Sequence, residues 1–348
     1  AAVLQQKYNV LYTQGNFNND IGVPKTLLRL RPEHEIAVVE MGASHPGDIK
    51  ALVDVVEPDY AIITNVGRAH LQGFGSFEGV IHTKGELYDF MRANHGLGNT
   101  DNGKTLREGK APLSCVFIDS ENPYLNGIAQ GLNLVRYGCK DDDQLWVSGH
   151  VDSCSPMLNF TWRHNDGTSV GAPHATQTHL IGEYNITNML AAVSIGLYFG
   201  VPADNIVKAL SAYVPSNNRS QFEQTKDNRL IVDAYNANPT SMAAALDNFA
   251  QIKAEHKMVI IGDMKELGVV SHDEHQKIVD MLNALDIETV WLVGAEFEHC
   301  DTPQSFRLFD NVEQVKEAIA ADKPHGKYIL VKGSNSTKLF VRHHNNSF

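Results

Sequence analysis

Basic charge is in short supply in this 348-residue chain. Its 29 lysines and arginines face 41 aspartates and glutamates, for a formal net charge of −12. An acidic surface of this kind argues against generic binding to nucleic acid or to a membrane face, while leaving room for a local anion pocket. Cysteine is scarcer still. Cys115, Cys139, Cys154 and Cys300 are far apart and form no C-x-x-C pair, so reduced core thiols in a cytosolic protein are expected. No apolar run approaches the twenty residues that a spanning helix needs, and no targeting segment is read. Internal repeats and low-complexity tracts are missing, and His343-His344 and the scattered remaining histidines show no defensible metal spacing. What is present is 43% hydrophobic and 20% charged residues, enough core material for two globular domains.

The hydrophobic pattern is that of an α/β protein. Apolar runs at 8–13, 36–40, 60–64 and 116–119 read as buried strands, separated by helical segments at 21–30, 49–56 and 78–91. Strand–helix alternation at this spacing predicts a doubly wound, mainly parallel sheet. From about 134 to 181 short alternating runs such as Leu158-Asn-Phe-Thr-Trp162, with a turn at His164-Asn-Asp-Gly167, predict an appended antiparallel patch. Helices at 185–199 and 203–212 lead to a linker at Val214-Pro-Ser-Asn-Asn-Arg219. Beyond it, strands at 229–233, 257–261, 289–293 and 328–331 alternate with helices near 239–253, 272–284 and 311–321. The expected division is therefore 1–213 and 214–348, the second domain smaller and Rossmann-like. Ala1–Lys7 reads as the tail of a helix whose upstream part lies outside the chain.

Several strand ends carry polar residues where open α/β sheets bind ligands. The run Ile36-Ala-Val-Val delivers Glu40 into a Gly/Ser/Pro/Gly loop, either as a ligand in a crevice or as an acid capping the next helix. His70 lies six residues after the strand-ending Thr64; with Glu40 it could share a divalent cation such as Mg²⁺, which takes few protein ligands besides water and phosphate. The competing reading is a satisfied structural histidine. Thr83-Lys-Gly-Glu86 places Lys84 beside an anion, or on a solvated helix start. Leu230-Ile-Val-Asp233, Gly262-Asp-Met-Lys-Glu-Leu-Gly268 and Lys332-Gly-Ser334 each follow a strand and together form one wall of a crevice. Gly98-Asn-Thr-Asp-Asn-Gly-Lys-Thr105 matches the phosphate-loop pattern, yet no strand precedes it and Gly109 and Pro112 forbid a following helix. It reads as a surface loop matching by chance. The rival, a non-catalytic nucleotide-binding module built on that loop, would lose ATP affinity when Lys104 is replaced.

In this order, Thr13-Gln-Gly-Asn-Phe-Asn-Asn-Asp-Ile-Gly-Val-Pro24, Glu40-Met-Gly-Ala, His70-Leu-Gln-Gly-Phe-Gly75, Lys84-Gly-Glu86, Tyr184-Asn-Ile-Thr-Asn188, Asp233-Ala-Tyr-Asn-Ala-Asn-Pro239, Gly262-Asp-Met and Lys332-Gly-Ser334 closely resemble the bacterial Mur ligases. The Tyr-Asn-Ala-Asn and Gly-Asp-Met segments are most like the branch that adds a D-alanyl-D-alanine dipeptide; the siblings that add one amino acid, or extend folate chains, are the alternative. The resemblance implies an ATP-dependent, cytoplasmic, monomeric ligase acting on UDP-N-acetylmuramoyl-tripeptide and D-alanyl-D-alanine through an acyl phosphate. It implies Mg²⁺ ligands at Glu40 and His70 and a carbamylated Lys84 that also faces metal. On the nucleotide side it implies Asn185 and Asn188 near adenine, with Arg219, Asp233, Asn236 and Asn238 reaching over from the second domain. Lys84, His70, Asp233 and Arg219 are the groups it places at the reaction itself.

Three departures qualify the match. The family's phosphate loop and its amino-terminal substrate domain precede the segment that Ala1–Lys7 resembles, so these 348 residues alone are expected to be inactive. Asn218 stands before Arg219 where the family often has glycine, and 94–112 is longer than the family's usual connection.

Overall fold

Two sets of β-branched and aromatic runs, each bounded by polar loops, build two six-stranded sheets. A computed structural model describes residues 1–68, 70–96, 113–140, 142, 144–167, 169–215, 221–334, 337 and 339. The phosphate-loop-like segment 98–105 and Arg219 lie outside the described residues.

The first part of the chain runs β1 (Val10–Tyr12), α1 (Gly22–Leu27), β2 (Ile36–Val38), α2 (Asp48–Val56), β3 (Tyr60–Ile62), α3 (Leu71–Phe74) and α4 (Phe77–His95). It continues through β4 (Cys115–Asp119), α5 (Pro123–Gly127), β5 (Leu134–Gly138), β6 (Val147–Cys154), β7 (Met157–His164), β8 (His174–Ile181), α6 (Ile186–Tyr198) and α7 (Ala203–Ala212). Strands β3 to β8 lie side by side in chain order; β3 to β6 are parallel, and β7 and β8 turn antiparallel. β1 and β2 form a separate parallel pair. Side-chain alternation divides the layers. Cys115 and Phe117 of β4 join the core under α6, whereas Val116 and Ile118 face α2 and α4 with Val53, Leu87 and Met91.

The second part runs β9 (Gln221–Gln224), β10 (Arg229–Asp233), α8 (Pro239–Gln251), β11 (Lys257–Gly262), α9 (Ser271–Ala284), β12 (Thr289–Val293), β13 (Arg307–Phe309), α10 (Val312–Asp322) and β14 (Tyr328–Lys332). Its order is β13-β12-β11-β14-β10-β9, parallel except for the edge strand β9. The last strand, β14, inserts between β10 and β11, which brings Asp233, Gly262 and Lys332 to one edge of the sheet. Alternation again sorts the two faces. Ile231, Val259, Ile261 and Leu330 pack with α8 and α9, and Val232, Ile260, Trp291 and Val331 pack with α10.

Three expectations need correction. Ala1–Lys7 holds only a 3₁₀ turn over Leu4–Gln6, because just its apolar Val3 and Leu4 find a core to pack on. β2 stops at Val38, so Glu40 sits in the loop beyond the strand. β5 is a parallel neighbour of β4 and not part of the antiparallel patch, which starts at β6. The strands β9 and β13 and the short helix α3 have no counterpart in the sequence pattern. Each has four residues or fewer, too short for either periodicity to register.

Candidate active site

Beyond β2 the chain runs into a loop, and the Glu40 side chain there is exposed. Its backbone N–H donates to Thr13 Oγ1 at 2.9 Å and its Oε1 accepts from Asn18 Nδ2 at 2.9 Å. The Thr13–Asn18 stretch thus supports the acid, and Glu40 does not cap α2, whose N-cap Gly47 has no side-chain cap bond. Asp48 Oδ2 accepts the N–H groups of Ser44 and His45 at 2.9 and 2.8 Å, which lowers its pKa against an opposing burial cost.

The same loop packs against α3, where a Cβ on Gly73 would collide with the Ser44 carbonyl oxygen. It is also tied to α4. Glu86, two residues from Lys84, accepts the N–H of Gly47 and of Lys50, each at 2.8 Å. His70 opens α3 at φ +53°, a left-handed conformation rare for a residue with a Cβ. Lys84 Nζ donates to the Asn65 carbonyl at 2.8 Å, in the loop that leads from β3 to His70. Burial lowers its pKa, because the charged ammonium loses hydration. Glu40, His70 and Lys84 therefore stand on three segments that pack on one another. Among the described residues, no three His, Cys, Asp or Glu side chains gather as a metal cage.

The second sheet carries its own polar residues beyond the carboxyl ends of its strands. Asp233 and Lys332 are cross-strand partners; Lys332 is 1% exposed and its Nζ donates to Asp233 Oδ2 at 2.5 Å. Asn236 Oδ1 accepts the N–H of Ala237 at 2.8 Å. Asn238 caps α8, its Oδ1 accepting Ser241 N–H at 2.9 Å while the Ser241 hydroxyl accepts the Asn238 N–H at 3.2 Å. Asn185 and Asn188 begin α6. Asn185 Nδ2 donates to the Ile181 carbonyl at 2.8 Å, and its Oδ1 accepts from Asn188 Nδ2 at 3.1 Å.

Sequence patterns singled out His70 but not the other residues that join the two halves. Arg68 N–H donates to Thr240 Oγ1 at 3.2 Å, Arg68 pairs with the buried Glu274 at 3.4 Å, and His70 Nδ1 pairs with Glu266. Of the others, only Glu266 had a signal, as part of the Gly262–Gly268 run; Arg68, Thr240 and Glu274 had none. The surface cleft lined by Thr225, Arg229, Lys253 and Lys327 lies at the amino ends of β10, β11 and β14, away from this edge.

Residues 1–196 match the model of the Mur ligase middle domain, and residues 218–335 match that of the Mur ligase glutamate ligase domain. The UDP-N-acetylmuramoyl-tripeptide–D-alanyl-D-alanine ligase of Escherichia coli strain K12 is 34% identical, across 97% of this chain and 71% of the relative. The ligase of the same name from Haemophilus influenzae is 32% identical, across 95% of this chain and 68% of the relative. Among solved structures, MurF from Acinetobacter baumannii superposes with a TM-score of 0.79 at 28% identity, covering 97% of this chain and 70% of that one.

Proposed function

The chain belongs to the Mur ligase family, and on that footing we propose that it is the ATP-dependent ligase joining D-alanyl-D-alanine to a UDP-N-acetylmuramoyl-tripeptide. The observation that carries this reading is the 34% identity to a ligase of that name over 97% of the chain. The proposed division is a nucleotide-binding domain over 1–213 and a second domain over 214–348, working as a monomer in the cytoplasm.

In the proposed reaction the tripeptide carboxylate takes the γ-phosphoryl group of ATP and ADP leaves. The amine of the dipeptide then attacks the acyl carbon, loses a proton and expels phosphate. Asn185 and Asn188 at the head of α6 hold the adenine side, and Asp233, Asn236, Asn238 and Arg219 close on the nucleotide from the second domain. The wall of polar loops keeps water out while the acyl phosphate exists.

Glu40, His70 and Lys84 suit Mg²⁺. Glu40 and His70 offer a carboxylate and an imidazole on packed segments, the kind of sparse donor set to which Mg²⁺ adds water and phosphate ligands. Bound there, Mg²⁺ would neutralise phosphate charge as the acyl phosphate forms. The desolvated Lys84 amine supports carbamylation, since lowering its pKa raises the fraction of neutral amine. That lone pair adds to the carbon of CO₂, and loss of an N–H proton leaves a carbamate anion.

The test uses the full-length polypeptide that carries these residues, with ATP, Mg²⁺ and the nucleotide-linked tripeptide. Phosphate release and a pentapeptide product by mass spectrometry are expected with D-alanyl-D-alanine and not with single amino acids. Turnover with a single amino acid in place of the dipeptide would reassign the chain to a sibling ligase.

A further inference from the structure

We infer that Glu266 is a positioning residue for His70, so that the metal site is completed only when the loop after β11 docks on the loop after β3. The inference rests on the proposed reading of His70 as a metal ligand and assigns a role to a residue on the opposite half of the molecule. The Glu266 carboxylate meets Nδ1 of His70. An imidazole whose Nδ1–H is held by a carboxylate presents the lone pair of Nε2 outward, in one tautomer and one ring orientation, and that nitrogen becomes a better donor to a cation.

Three further observations indicate that the two loops are built to meet. His70 and Glu266 are two of four non-glycine residues with positive φ among those described, at +53° and +64°. Side chains are rarely held in this conformation unless the surroundings enforce it, and such residues concentrate at functional sites. Beside the pair, Gln72 N–H donates to the Glu266 carbonyl at 3.2 Å, and Gly268, at φ +59°, lies against Gln72. On the other flank, Arg68 is fastened to Thr240 and Glu274. The His70–Glu266 contact thus sits between two independent fastenings, and a shift of either would pull the carboxylate off the ring.

The readout is Mn²⁺ substituted for Mg²⁺ in the full-length polypeptide, with a non-hydrolysable ATP analogue bound. Mn²⁺ affinity is taken from the free-ion signal in electron paramagnetic resonance, and ligation by imidazole from the ¹⁴N coupling in a pulsed experiment. Glu266→Ala is expected to weaken Mn²⁺ binding about 10- to 100-fold and to remove or alter the ¹⁴N coupling. Glu266→Gln, which keeps an acceptor for Nδ1–H, is expected to lose less. Thermal melting of each variant checks that the exposed Glu266 has been changed without unfolding the chain. If His70→Ala loses affinity and ¹⁴N coupling while Glu266→Ala binds within twofold of wild type with the coupling unchanged, the inference is overturned and the reading of His70 stands. If His70→Ala itself leaves both unchanged, the reading of His70 falls, and the inference with it.

Discussion

At the scale of single residues, burial sets the chemistry of more than one polar side chain. His275 in α9 is fully buried, its Nε2 accepting Met264 N–H at 3.0 Å and its Nδ1 donating to the Ser271 carbonyl at 2.8 Å. Desolvation pushes its pKa below the usual 6.5, against the opposing pull of the Ser271 carbonyl and of Asp263. The folded chain therefore keeps this imidazole neutral, whereas the unfolded chain binds a proton as pH falls through about 6.5. The stability it contributes is complete above that pH and is lost progressively below it. His275→Gln should flatten the fall in the urea midpoint between pH 7 and 5 by about one proton's worth of slope, roughly 1.4 kcal/mol per pH unit at most. An unchanged slope would rule this out. Lys332 is a second buried group: its Nζ, 1% exposed, meets Asp233 at 2.5 Å, so replacing Asp233 takes that carboxylate away from a buried amine.

At the scale of elements, the carboxyl edge of the second sheet is shaped by what its loops leave out. Gly294 follows β12 at φ +119°, and a Cβ there would collide with the Asp263 carboxylate. Gly294→Ala should cost about 2 kcal/mol or more by denaturant unfolding, from backbone strain and the displacement of a buried acid together. A loss near zero would mean that the loop re-forms around the methyl group. The cap of α8 shows how one residue can serve structure within a candidate site. Asn238→Ala should cost about 1 kcal/mol through the lost capping box, whatever it does to nucleotide binding. Strands of five or six residues, such as β10, β11, β12 and β14, were legible because both faces are apolar and the runs are continuous. β9 and β13 were not, since a three- or four-residue edge strand is defined by its neighbour's hydrogen bonds and carries no period of its own.

At the scale of the whole molecule, the two sheets share one apolar seam. Leu71, Phe74, Val80 and Ile181 from the first part lie in the same cluster as Met242, Met264, Leu267 and Ile278 from the second. The fastenings of Arg68 and His70 therefore close over packed side chains. Phe74, 6% exposed in that seam, is a sensitive point. Phe74→Ala should cost about 3 kcal/mol and split the calorimetric unfolding of the two halves into separate transitions. A single transition shifted by less than a degree would place the coupling elsewhere.

What the amino-acid order determined by itself was the alternation of strands and helices, the membership of a ligase family, and the candidates Glu40, His70, Lys84 and Asp233. Those features are local: they follow from side-chain periodicity and from residue types at fixed short spacings. Tertiary structure alone decided the pairings between distant stretches. The insertion of β14 between β10 and β11 puts Lys332 against Asp233 across 99 positions. The docking of one sheet's loops on the other's brings Glu266 to His70 across 196. No spacing rule reaches over such separations, because strand order and the seating of one core on another are settled by the collective packing of the chain.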